Sequence, residues 1–124
     1  MSIVYLWLNA IIYLVFGLLC TLNLDKITAA QGFLKLDNNG RCEYLAVYGG
    51  MEIGFAIFYA LCALKPAYRS AGILFSLCLY GGICTWRLTS LMFLSDISIT
   101  TKSIAVLEVA LLIGAALLFK TSIE

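Results

Sequence analysis

Four apolar runs, at about residues 3–22, 44–64, 70–94 and 103–119, take up most of this chain, and three of them carry a single charged residue inside: Glu52, Arg87 and Glu108. Apolar runs of about 17 to 25 residues have the length a helix needs to cross a bilayer. The chain has 124 residues, 63% of them hydrophobic, and a mean hydropathy of +1.01, which leaves too little polar surface for a water-soluble globule. The expected fold is all-α: an integral membrane bundle of four transmembrane helices, one domain over residues 1–124.

The first run is preceded only by Met1 and Ser2, with no Lys or Arg, and is longer than the apolar part of a secretory signal, so it reads as a permanent helix. The segment Lys65-Pro66-Ala67-Tyr68-Arg69 holds the only proline and should stop the second helix in a tight hairpin. Asp37-Asn38-Asn39-Gly40 is a turn signal. Before it, Ile27, Ala30 and Leu34 recur at helical spacing, which predicts a short interfacial helix between helices 1 and 2, within residues 26–36. Polar residues 96–101 offer N-caps for the fourth helix.

Four spans put the segments 23–43 and 95–102 on one side, here the loop side, and the termini with the 65–69 hairpin on the other. At a rise of about 1.5 Å per residue, Glu52 lies roughly 12 Å, Arg87 roughly 10 Å and Glu108 roughly 8 Å from the loop-side ends of their helices. The three therefore fall in one layer, whichever way the bundle inserts. A central charge costs about 2.5 to 3.5 kcal/mol on insertion scales, and such groups usually face the bundle interior and pair. Two carboxylates and one guanidinium sum to −1, so a proton, a bound cation or a further basic residue should complete the cluster. Arg41 is the nearest basic residue in sequence, and Tyr48, one turn before Glu52, could donate into the cluster. A purely structural ion-pair latch would account for the same residues.

Close helix approach is expected at Gly50 and Gly54, a small-xxx-small pair with Gly49 beside it, facing Gly81-Gly82 of the third helix. Arg41, Tyr48-Gly49-Gly50-x-Glu52, Arg87 late in the third run and Glu108 early in the fourth together resemble a bacterial family of four-helix membrane proteins, the DUF4345 family. The resemblance covers about residues 5–119, and Tyr-Gly-Gly-x-Glu is its most specific part; Trp86 stands where the pattern would carry glycine. It implies an inner-membrane bundle with a shared polar site at Arg41, Glu52, Arg87 and Glu108, and it brings no activity with it.

Several chemistries lack their residues. The chain has no His, and its cysteines (Cys20, Cys42, Cys62, Cys78, Cys84) show no Cys-x-x-Cys spacing, so neither a metal nor another cofactor is expected. A disulfide between Cys20 and Cys42 stays open. No phosphate loop or nucleophile elbow occurs, and no catalytic residue is assigned. A formal charge of +1 without a basic stripe gives no footing for nucleic acid. The expected partners are membrane lipid, a small polar or lipid ligand at Glu52, Arg87, Glu108, Arg41 and Tyr48, and further copies of the chain. Lys65, Arg69 and Lys120 on one side nearly balance Lys26, Lys35, Arg41 and Lys102 on the other; charges concentrated beside the hairpin's helix ends favour cytoplasmic termini in the bacterial inner membrane. Two functional classes follow: a binding or accessory protein, and a small proton-coupled transporter acting as an oligomer.

Overall fold

A computed structural model describes residues 1–123. It is an all-α bundle in which four helices are long and apolar enough to cross a membrane. Helix α1 is Ser2–Leu22 and α2 is the short Leu24–Ala30. The second span, α3, runs over Asn38–Leu64. A 3-10 turn at Pro66–Tyr68 leads into α4, Arg69–Phe93, and α5 is Ile99–Ile123.

Local chemistry moves several boundaries from their expected places. The span α3 begins six residues early because the Asp37 carboxylate caps it, accepting from the Gly40 amide at 2.7 Å; residues that signal a turn are also good N-caps. By the same device Ser98 Oγ accepts from the Thr101 amide at 3.2 Å and starts α5 four residues early. The interfacial helix lies at 24–30 rather than within 26–36. Gly32, at φ +84°, ends it in a left-handed cap, with its amide on Ala29 O and that of Phe33 on Thr28 O.

Helix α1 organises the packing. Tyr5, Asn9, Tyr13, Gly17 and Thr21 recur every fourth residue and form one stripe on it. Gly17 lets α3 approach: a Cβ there would sit 3.0 Å from Ile53 Cγ1 and 3.1 Å from Glu52 Cβ. Gly49 answers it, since its own Cβ would meet Thr21 Oγ1 at 2.7 Å. Gly72 seats α4 near the hairpin, where a Cβ would lie 2.7 Å from Leu6 Cδ2 and 2.9 Å from Cys62 Cβ. Gly54, Gly81 and Gly82 face open space instead. The expected glycine seam between the second and third spans is therefore absent there. Those spans meet lower down, where Phe55, Phe58 and Tyr59 pack on Phe75 with centroids 5.1 to 5.8 Å apart. Helix α5 lies along α4 and reaches α1 through Tyr5, whose hydroxyl donates to Leu111 O at 2.8 Å. Only 17% of its apolar window is buried inside the protein, so most of its surface needs an apolar surrounding.

Candidate functional site

Arg87 and Glu108 form a two-pronged ion pair that ties α4 to α5. Nε donates to Glu108 Oε2 at 2.8 Å and Nη2 to Oε1 at 2.7 Å. The planar guanidinium suits this fork-to-fork geometry, which fixes direction as well as adding strength. Glu108 is the more enclosed partner, with 12% of its side chain exposed against 34% for Arg87. Beside Arg87, a groove of about 480 Å³ runs between Trp86, Ser90, Leu91 and Thr101. Its walls are mostly apolar, and Arg87 supplies the charge along it.

Glu52 is set differently. It stands at the first α-helical turn after a π-helical stretch, Leu45–Met51, and is 9% exposed. Its Oε2 is buried without a hydrogen-bond partner among the described residues. A π-helical turn spaces its backbone bonds five residues apart and commonly marks a working position in a helix. Here it shifts the register between Tyr48 and Glu52. Gly17 of α1 lies against Glu52 so closely that a Cβ on the glycine would stand 3.1 Å from Glu52 Cβ, so the bundle closes on this side chain from the α1 face.

Of the five residues singled out in the sequence, the structure joins two directly, Arg87 and Glu108. Glu52 is bonded to neither of them; Tyr13 of α1 interacts electrostatically with both Glu52 and Glu108. Tyr48 interacts electrostatically with Arg87, and its ring stacks on Tyr44 at 4.6 Å. Arg41 goes elsewhere: Nη1 and Nη2 bond Asp25 Oδ1 and Oδ2 at 2.7 and 3.3 Å, clamping α2 to the start of α3. That pair is exposed, so Arg41 does not complete the buried charge. Cys20 and Cys42 are both free, the first buried and the second exposed. Among the described residues no group of three His, Cys, Asp or Glu could hold a metal ion.

A polar chain inside the bundle was not singled out from the sequence. Asn9 and Ser76 are wholly buried, and Tyr5, Tyr13, Tyr59 and Tyr80 nearly so. Asn9 Nδ2 donates to Tyr5 O at 2.8 Å, and Tyr80 Oη donates to Asn9 Oδ1. Tyr13 interacts electrostatically with Tyr80, and its ring stacks on that of Tyr59 with centroids 5.7 Å apart. Lower down, Ser76 Oγ bonds Tyr59 Oη at 2.9 Å and adjoins Tyr5. The signal was present, as Tyr5, Asn9, Tyr13 at a spacing of four in the first apolar run, but tyrosine is counted with apolar residues and its hydroxyl is easily overlooked.

Comparison with protein-family models, curated proteins and solved structures finds no match to this chain. The reading of the site therefore rests on its own geometry.

Proposed function

We propose that this is a multi-pass protein of the bacterial inner membrane that binds a lipid headgroup or small polar ligand at the layer formed by Glu52, Arg87 and Glu108, in a binding or accessory role. The observation that carries the reading is Glu52, a carboxylate nine-tenths buried whose Oε2 has no hydrogen-bond partner among the described residues. A buried acceptor left unmade is expensive, so such a group is retained where something else satisfies it. The groove beside Arg87 gives an amphiphile apolar walls and a charged contact in the same layer. The resemblance to the four-helix family is in keeping with this, and termini in the cytoplasm would open the layer toward the periplasm.

The latch reading is favoured by a specific observation of its own, the two-pronged Arg87–Glu108 pair. It accounts for those two residues and leaves Glu52 over. An unpartnered carboxylate is also what a small proton-coupled transporter would use, and that second reading requires an oligomer that translocates a substrate.

The test is native mass spectrometry of gently solubilised wild type and Glu52→Gln, with thermal melting of each. A lipid or small molecule retained by the wild type and lost in the variant, with ligand-free melting unchanged, is the expected result. No adduct in either, together with a large fall in melting temperature for the variant, would replace the binding reading with a structural one.

A further inference from the structure

The charges outside the spans are matched on one side of the bundle and not on the other. On the loop side Lys26, Lys35, Arg41 and Lys102 stand against Asp25, Asp37, Glu43 and Asp96, and Arg41 closes on Asp25. On the hairpin side Lys65, Arg69 and Lys120 meet no Asp or Glu among the described residues; the sequence adds one acid there, Glu124, which lies outside them. None of the three cations enters an ion pair among the described residues.

Arg69 differs from the two lysines in being partly enclosed. It is the first residue of α4 and heads the face that continues through Gly72, Ile73, Ser76 and Tyr80, all of them buried. At Gly72 that face packs on Leu6 of α1 and Cys62 of α3. Side chains lean toward the N-terminus of their helix, so a stem rooted at its first residue is directed to the hairpin end of the bundle. Arg69 Nε is buried and has no hydrogen-bond partner among the described residues, and a charged donor left unmade is costly. The turn before it is firmly closed: the Tyr68 amide donates to Lys65 O at 3.0 Å and the Arg69 amide to Pro66 O. Lys65 Nζ lies 5.6 Å from the centre of the exposed Tyr68 ring, with exposed Leu64 beside it. Cation, aromatic ring and apolar side chain meet in this way where a span reaches the membrane interface.

The other arginine of the helix shows what such an edge takes. Arg87 gives Nε and Nη2 to two oxygens on one carbon, in Glu108. A phosphodiester offers the same fork, two free oxygens on one phosphorus, and the interface is where phospholipids carry it. We infer that the hairpin end is a binding site for the phosphodiester of an anionic phospholipid, gripped by the Nε edge of Arg69, with Lys65 and Lys120 attracting its net charge. A zwitterionic amino headgroup would bring its ammonium among three cations and is disfavoured. Inorganic phosphate has the same oxygens but no acyl chains for the apolar spans to hold at this depth. The site stands apart from the Glu52 layer and does not depend on a ligand there.

The test is native mass spectrometry of the full chain in detergent, titrated in turn with phosphatidylglycerol, phosphatidylethanolamine and inorganic phosphate. The wild type should retain phosphatidylglycerol in preference to phosphatidylethanolamine. Arg69→Gln should hold it about tenfold more weakly, the loss of a charge-assisted bond, while Lys102→Gln on the loop side matches the wild type. Arg69→Lys keeps the charge and removes the fork, and it should lose most of the adduct too; retention equal to wild type in either Arg69 variant overturns the inference. So does equal retention of the two lipids, or phosphate bound in place of lipid. Should Arg69→Gln fail to fold, Arg69→Lys and Lys65→Gln decide, and undiminished retention in both overturns the site. An adduct lost in Glu52→Gln and kept in Arg69→Gln belongs to the Glu52 layer and overturns the hairpin site alone. One lost in Arg69→Gln and kept in Glu52→Gln sustains the hairpin site, whatever becomes of the ligand-binding reading above.

Discussion

Gly17 and Glu52 are pressed together across the α1–α3 seam, so closely that a methyl group on the glycine would stand 3.1 Å from the glutamate's Cβ. The backbone of the first helix thus forms one wall around the carboxylate. The absence of a single side chain brings the charge under cover.

Glycine substitutions should separate by the neighbour each would meet. Gly72→Ala strikes Leu6 and Cys62 inside 3.0 Å, and Gly17→Ala strikes Ile53, Glu52 and the Gly49 carbonyl at 3.0 to 3.1 Å. Overpacking of this kind costs about 1 to 3 kcal/mol. Gly54→Ala and Gly82→Ala meet nothing within 4 Å and should be neutral or slightly stabilising, by up to about 1 kcal/mol from helix propensity. Thermal melting of the four variants in one detergent checks the order, and a destabilised Gly82→Ala would show that this face is covered by something outside the chain.

The Arg87–Glu108 pair should respond asymmetrically. Arg87→Met strands the more enclosed partner, an ionised carboxylate, whereas Glu108→Gln leaves a guanidinium with a third of its side chain exposed and free to reach toward the interface. The first should cost more, up to about 3 kcal/mol, and the double variant less than the sum of the singles. A double-mutant cycle by reversible unfolding measures the difference; equal single losses that simply add would mean that the fork contributes no coupling.

Removing one end of the Asn9–Tyr80 bond should be worse than removing both. Tyr80→Phe leaves the buried Asn9 Oδ1 without its donor and should cost about 1 to 3 kcal/mol. Combining it with Asn9→Leu removes the stranded oxygen and should recover part of that loss, although the Tyr5 carbonyl then loses its extra donor. Melting temperatures of the two single variants and the double variant decide it.

The spans were legible because length and hydropathy are properties of long windows, which local chemistry scarcely disturbs. That Arg87 and Glu108 stand at one level, where they pair, was legible from the parity of the spans. Which charges pair was less so: parity fixes depth but not the angle around each helix, and the π-helical stretch before Glu52 alters that angle with no mark in the sequence. The choice of glycines went astray for a related reason. A small-xxx-small pair tells which helix surface can be approached, not which neighbour approaches it, and the partner proved to be α1 at Gly17 and Thr21. Arg41 was close to Glu52 in sequence, but Asp25 on the interfacial helix holds it.

Helix α1 touches α3 at Gly17, α4 at Leu6 and α5 at Tyr5, and it precedes all three in the chain. During synthesis the common scaffold is therefore in the membrane before any span that leans on it. Each later helix emerges after the surface it packs on, and α5 finds α4 to lie along, with the Tyr5 hydroxyl of α1 on one side and the Arg87 guanidinium on the other as its polar moorings.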